Sequence, residues 1–202
     1  MIDTFLFDMG NVLLHFSHPL MCAQIAEVCG TSSDEIRRLL FDLQWENEFE
    51  RGELTEAQFQ ARLENHFQRA ISLPALVHAV SDIFTLNAPM VPILQALRQH
   101  GKRLVLLSNT SISHIEFIRR EFDVLSYFDD FVLSYEVGAM KPQAAIFEAA
   151  LEKIRCEPGR CFYTDDIADY IEAARGYGLQ ADVFTTPESL EAQLTQRGLH
   201  LS

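Results

Sequence analysis

Asp8 ends the short apolar run Thr4-Phe5-Leu6-Phe7 and is followed by Met9-Gly10-Asn11-Val12. A carboxylate at the carboxyl end of a buried strand, with glycine close behind, stands where open α/β sheets bind ligands. A second apolar run, Cys161-Phe162-Tyr163-Thr164, ends in Asp165-Asp166. Two strand ends that both deliver acids suggest a site for a hard divalent cation, which takes oxygen ligands. Two more signals lie between them. Leu104-Val105-Leu106-Leu107 runs into Ser108-Asn109-Thr110, so a strand ends in hydroxyl and amide groups, and Met140-Lys141-Pro142 sets a lysine at the start of a helix. Each has an ordinary reading by itself. Ser108 would be a turn or helix-cap residue, Lys141 a solvated cation, and Asp165-Asp166 a loop capping the next helix. The ordered set, every member at a strand end or helix start, carries the chemistry.

The elements that must position these residues follow from periodicity. Apolar runs at 4–9, 103–108, 130–134, 160–164 and 181–185 are short and rich in Phe, Val and Leu, as buried parallel strands are. From residue 89 onward they alternate with helical patterns at 89–98, 112–122, 142–154 and 168–177, then a last helix capped by Thr186-Pro187-Glu188 that stops near Gly198. Such alternation predicts a doubly wound parallel α/β sheet. Residues 17–86 break it, with helix after helix: one at 19–29, one opening at Ser33, one from a Thr55-Glu56-Ala57-Gln58 capping box to about Arg69, and one at 73–83. This is a helical unit inserted after the first strand, so residues 1–16 and 87–202 form the core and 17–86 the insert.

Composition narrows the partners. The chain has 202 residues, 48% hydrophobic, with 29 acidic against 16 basic residues and a net charge of −13. That is enough apolar material for a core and the wrong charge for a nucleic-acid surface. Cys22, Cys29, Cys156 and Cys161 form no C-x-x-C pair and are expected to be reduced thiols. No apolar run reaches the roughly 20 residues of a membrane span, and no basic segment precedes an apolar stretch at the N-terminus. The expectation is a cytoplasmic protein without membrane or nucleic-acid partners, its oligomeric state left open.

The motif set resembles the haloacid dehalogenase superfamily of phosphatases and related hydrolases, over essentially the whole chain. The Phe-Asp-x-Gly-Asn-Val form of the first motif is similar to that of a subgroup containing sugar-1-phosphate phosphatases, and Glu50-Arg51-Gly52-Glu53-Leu54-Thr55 looks like the helical cap of small members. The resemblance implies an α/β Rossmann-like core with an inserted cap. It implies Mg²⁺ and a small phosphorylated substrate, hydrolysed through an aspartyl-phosphate on Asp8. Asp8, the carbonyl of Gly10 and Asp166 would hold the metal, and Asp165 would orient Lys141 or a metal-bound water. Ser108 and backbone N–H groups including that of Asn109 would hold the phosphoryl oxygens, and Lys141 would neutralise charge on Asp8 and the phosphoryl group. In the cap, Trp45, Glu46, Glu50 and Arg51 would meet the rest of the substrate. The ordinary readings are a partly buried Trp45 and an Arg51 paired with a neighbouring acid.

The sequence departs from the family pattern in two places. Position 10 holds Gly where the phosphatases usually place an Asp that protonates the leaving oxygen. Loss of a positioned general acid costs about 10²–10⁴-fold. One reading is an enzyme whose leaving group needs less help. The other is a weak or inactive binding or regulatory protein on an enzyme fold. His15 or His18 could supply the missing proton, against the alternative of a packing histidine at a domain junction. Tyr170 stands where related sequences often carry Asn, and Asp169 beside it could serve that role or be a first-turn acid favoured by the helix dipole. A dehalogenase would share Asp8, Ser108 and Lys141. It needs no metal, however, and typically has Tyr at position 10.

Overall fold

A computed structural model describes residues 2–201. Five strands build the main sheet: β1 (Thr4–Phe7), β4 (Arg103–Ser108), β5 (Asp130–Leu133), β6 (Cys161–Asp165) and β7 (Gln180–Val183). Their order is β5-β4-β1-β6-β7, all parallel. The chain thus moves outward from β1 through β4 to β5, then crosses back to β6 on the other side. The reversal opens a crevice at the carboxyl ends of β1 and β6, where doubly wound sheets bind ligands. Register fixes what lies there. Phe7 is paired with Leu106 and with Thr164, and the Asp8 N–H donates to the Thr164 carbonyl at 3.0 Å, so Asp8 emerges level with Asp165.

Both faces of the sheet are covered, which is why its strands read as continuous apolar runs. Phe5, Phe7, Leu104, Leu106 and Phe162 face one cluster, which includes Ile93, Leu97, Ile115, Ile118 and Leu194. These come from α6 (Met90–Gln99), α7 (Ile112–Glu121) and α11 (Pro187–Gln196). Leu6, Val105, Leu107 and Tyr163 face the other, with Ile146, Phe147 and Ile171 of α9 (Ala144–Ile154) and α10 (Ala168–Gly176). The short α8 (Ser134–Val137) starts where the sequence still reads as strand.

Residues 18–81 form a helical block with its own apolar cluster, including Ile25, Ile36, Leu39, Leu63 and Leu76. Its helices are α1 (His18–Cys29), α2 (Ser33–Arg37), α3 (Trp45–Glu50), α4 (Glu56–Phe67) and α5 (Leu73–Ser81). Side-chain caps start four of them: Ser17, Ser32, Thr55 and Ser72, with Thr55 and Gln58 bonded reciprocally. The sequence pattern does not separate α2 from α3. Arg38–Asp42 continues α2 as a π-helical turn, and Gln44 adopts φ 60°, which breaks the run. The block joins the core through a two-stranded antiparallel ribbon, β2 (Leu14–Phe16) with β3 (Phe84–Leu86), too short to show periodicity.

The block is docked on the core by specific contacts. Ser134 Oγ lies 2.6 Å from the Glu50 carbonyl and 2.9 Å from the Thr110 carbonyl, and accepts from the Thr110 N–H at 2.8 Å. Gly52 has φ +70°, and a Cβ there would meet the Tyr135 carbonyl oxygen at 2.4 Å, so only glycine lets this approach occur. Ser113 Oγ donates to Glu56 at 2.5 Å, and His114 Nε2 donates to the Val80 carbonyl at 3.2 Å. Among the described residues no helix is long and apolar enough to cross a membrane.

His114 gives a pH prediction. Burial pushes its pKa down to about 4, so the ring is neutral in the folded protein. The unfolded chain then binds the extra proton first. The penalty is absent above about pH 6.5 and grows as pH falls to about 4, reaching about 3 kcal/mol at 1.36 kcal/mol per unit. Urea unfolding between pH 7.5 and 4 is expected to show a smaller acid-dependent loss in His114→Gln than in the wild type. Parallel curves would contradict the assignment.

Candidate active site

Asp8, Lys141 and Asp165 form the buried centre of the crevice. Lys141 Nζ donates to Asp8 Oδ1 at 2.7 Å, to Asp165 Oδ2 at 2.6 Å and to the Leu107 carbonyl at 3.2 Å, which uses all three of its protons. Lys141 is the one side chain that donates to Asp8 among the described residues. Asp165 is spent on the protein: Oδ2 also accepts from the Tyr163 hydroxyl, and Oδ1 accepts from the Ile167 N–H at 2.8 Å. Asp166 is more open and accepts from the Asn11 amide at 3.1 Å.

The charges do not balance. Burial alone would lower the Lys141 pKa, but Asp8 and Asp165 overcome it and hold the ammonium protonated well above the usual lysine range. Burial pushes the Asp8 carboxyl up to about 7; Lys141 opposes the rise and Asp165 adds to it. One ammonium serves two buried carboxylates, and Asp166 stands beside them. Carboxylate oxygens of Asp8, Asp165 and Asp166 lie within 4.8 Å of one another. An all-oxygen donor set with surplus negative charge fits a hard divalent cation such as Mg²⁺.

Asn109 braces the lysine. Its Oδ1 accepts from the Lys141 N–H at 2.7 Å and its Nδ2 donates to the Lys141 carbonyl at 3.2 Å. The side chain is thereby committed, which leaves the Asn109 backbone as the part available to a ligand. Ser108 is 1% exposed, its hydroxyl donates to the Asn109 carbonyl at 3.3 Å, and it does not line the cleft. Tyr170 lines the cleft and lays its ring 5.1 Å from Lys141 Nζ, while Asp169 is exposed and makes no side-chain hydrogen bond among the described residues. The position expected to hold an amide therefore holds an aromatic face for the ammonium.

The cleft measures about 220 Å³ and is closed on one side by the helical block. Glu46, Glu50, His18 and Phe16 reach it from that side. Trp45 does not line it. The ring packs within the block, with the Arg62 guanidinium 5.0 Å from its centroid. Arg51 pairs with Glu53 at 2.8 Å and is likewise outside the cleft. His15 sits exposed on β2, away from the cleft, whereas His18 lines it with Nε2 3.3 Å from Glu46 Oε1. At Gly10 the space for a side chain is taken: a Cβ would meet Phe16 Cε1 at 2.8 Å. The contacts of Phe16, Asn11 and Tyr163 in the site cannot be read from the sequence, because they depend on neighbours brought in by other segments.

A family model described as "haloacid dehalogenase-like hydrolase" matches residues 2–178. The chain belongs to this family of hydrolases. Phosphatase MT3486 of Mycobacterium tuberculosis (strain CDC 1551 / Oshkosh) is 32% identical over 91 residues, 45% of this chain and 42% of that protein. Pyrimidine 5'-nucleotidase YjjG of Escherichia coli (strain K12) is 33% identical over 113 residues, 52% of this chain and 49% of that protein. The chain thus spans less than half the length of either relative. Among solved structures, HAD family enzyme bt-2542 from Bacteroides thetaiotaomicron superposes with a TM-score of 0.83 at 21% identity, covering 96% of this chain and 98% of that one. A complex of the same enzyme with magnesium and inorganic phosphate gives 0.77 at 22% identity, covering 92% and 95%. These likenesses show the shared fold.

Lys141→Met is expected to leave two buried carboxylates without their countercharge. Stability at pH 7 should fall by on the order of 3–5 kcal/mol, and by less at lower pH, where the Asp8 carboxyl takes up a proton. Urea unfolding measures this; a loss under about 1 kcal/mol would mean that the ammonium is not their main compensation.

Proposed function

We propose that the protein is a Mg²⁺-dependent phosphatase of a small phosphorylated metabolite, with Asp8 as nucleophile. The observation that carries this reading is the Lys141 ammonium bonded at once to Asp8 and Asp165, with Asp166 within reach of both acids. The phosphatase and nucleotidase among the relatives, and the magnesium and phosphate complex of the structural neighbour, support it. The helical block, residues 17–86, is the cap, and residues 1–16 and 87–202 are the core that carries the chemistry. A sugar phosphate suits a cleft whose cap side offers Glu46 and His18 as hydroxyl partners.

Each residue has a physical task. Lys141 lowers the repulsion between the Asp8 carboxylate and an incoming phosphate dianion. Asp8, Asp166 and the Gly10 carbonyl would hold Mg²⁺, which when bound would supply further charge neutralisation. Asp165 keeps Lys141 protonated and aimed. Backbone groups at Asn109 hold the phosphoryl oxygens, and buried Ser108 shapes that turn. Asp8 then attacks phosphorus and becomes an aspartyl-phosphate, which water hydrolyses.

The protein is expected to release phosphate from p-nitrophenyl phosphate or a phosphorylated-metabolite panel with Mg²⁺ present. EDTA and Asp8→Asn should each bring release to background. No release from any substrate with Mg²⁺ would favour a binding protein on this fold, the reading that Gly10 also permits. Independently of activity, Mg²⁺ at 100 times its Kd should stabilise the wild type by about 2.7 kcal/mol in thermal unfolding, and Asp166→Asn should lose most of that gain. Equal stabilisation of both proteins would remove Asp166 from the metal site.

A further inference from the structure

A leaving alkoxide needs a proton, and position 10 cannot give one. Phe16 fills the space above Gly10, so the donor must reach the cleft from elsewhere. Its titratable lining is Asp8, Lys141, Asp166, Tyr170, His18, Glu46 and Glu50. Asp8 and Asp166 serve as nucleophile and metal ligand. Lys141 has placed all three protons and is held charged. Burial pushes the Tyr170 hydroxyl above its already high ordinary value, which makes it a reluctant acid. His18 packs between Phe16 and Phe41, with ring centroids 4.9 and 4.8 Å away, and turns Nε2 to Glu46. Glu46 Oε1 accepts no hydrogen bond among the described residues, but Glu46 does not line the adjoining pocket over Met9 and Gly10.

Glu50 is left. Its carboxyl makes no hydrogen bond or ion pair among the described residues, and it lines both the main cleft and the adjoining pocket over Met9 and Gly10. Its backbone is fixed as well: the carbonyl of Glu50 is tied through Ser134 to Thr110, in the turn that follows β4. Gly52 presses the same loop onto Tyr135. Cap and core are thus locked together at the residue that faces the reacting centre.

We propose that Glu50 is the general acid and base of this enzyme, supplied by the cap in place of a side chain at position 10. The assignment rests on the phosphatase reading above. Burial, with Glu46 adding to it, pushes the Glu50 carboxyl up to about 8, so it enters the cycle protonated at neutral pH. Lys141 acts against that rise and Asp8 with it, while His114, in the adjoining pocket, is neutral. In the first step the Asp8 oxygen bonds phosphorus, the bond from phosphorus to the leaving oxygen breaks, and that oxygen takes the Glu50 proton. In the second, water bonds phosphorus and gives a proton to the Glu50 carboxylate, and the bond from phosphorus to Asp8 breaks. Asp8 and the Glu50 acid are restored, and alcohol and hydrogen phosphate leave.

The test compares leaving groups in the wild type and Glu50→Gln, with Mg²⁺ present. The oxygen leaving an alkyl or sugar phosphate needs a proton, whereas the p-nitrophenolate leaving p-nitrophenyl phosphate departs as a stable anion. Glu50→Gln is expected to lose about 10²–10⁴-fold in kcat/KM on the alkyl phosphate. On p-nitrophenyl phosphate kcat and KM should fall together, because only the second step is slowed, and phosphorylated Asp8 should accumulate. A Gly10→Asp, Phe16→Ala double change in the Glu50→Gln background should restore alkyl phosphate turnover. Equal loss on both substrates, or none, overturns the assignment and leaves the phosphatase reading standing. A selective loss in Tyr170→Phe instead moves the donor to Tyr170. A wild type that hydrolyses neither substrate overturns both. Should Glu50→Gln not fold, Glu50→Asp keeps the acid at shorter reach and must show the same selective loss in milder form.

Discussion

The Lys141 ammonium, buried between Asp8 and Asp165, is the interaction on which the rest of the cleft depends. A charge held at 4% exposure is tolerable only with partners on every proton, and Lys141 has them at 2.7, 2.6 and 3.2 Å. The need runs both ways, since the ammonium opposes the rise that burial imposes on the Asp8 carboxyl. Satisfying the lysine also fixes the geometry around it. Asn109 clamps its backbone, Tyr170 covers its head, and Tyr163 and the Ile167 N–H hold Asp165 in place. The remaining negative charge is what a divalent cation or a phosphoryl-transfer site can use.

Four separate segments reach this point because of sheet topology. β1 lies between β4 and β6, and parallel register brings the ends of all three to the same edge. Asp8, Asn109 and Asp165 each follow from that edge. Lys141 arrives from the loop before α9. The helical block then closes the opposite side with acidic and aromatic groups, while the core side carries the one cation, Lys141, among three aspartates. In the proposed reaction the core would handle the phosphoryl group and the cap the leaving group.

Much of this was legible in the sequence, for a definite reason. Strands buried on both faces read as unbroken apolar runs, so the acids that end them stand out, and Asp8, Asp165 and Asp166 could be placed together without coordinates. The family and its α/β core follow from the same residues. Other features were hidden because they are properties of space and not of spacing. Phe16 lies six residues from Gly10, and nothing in the sequence places its ring in the space of a side chain at that position. Asn109 enters the sequence reading through its backbone N–H, and nothing in the sequence shows that its side-chain amide clamps the Lys141 backbone. Trp45 reads either as a substrate contact or as a partly buried residue, and it packs under Arg62 within the cap. The ribbon of β2 and β3 has three residues per strand and no period to detect. Ser134 reads as the end of a strand, while its hydroxyl joins cap to core.

The central claim is that Asp8 forms a covalent bond to the transferred phosphoryl group. Rapid acid quench of the Mg²⁺-loaded protein during turnover, followed by peptide mass analysis, tests it directly. The account predicts one phosphoryl group on the peptide that contains Asp8, formed and lost at the pace of turnover and absent from Asp8→Asn. Phosphate release with that peptide never labelled, or with the label on another residue, would contradict it.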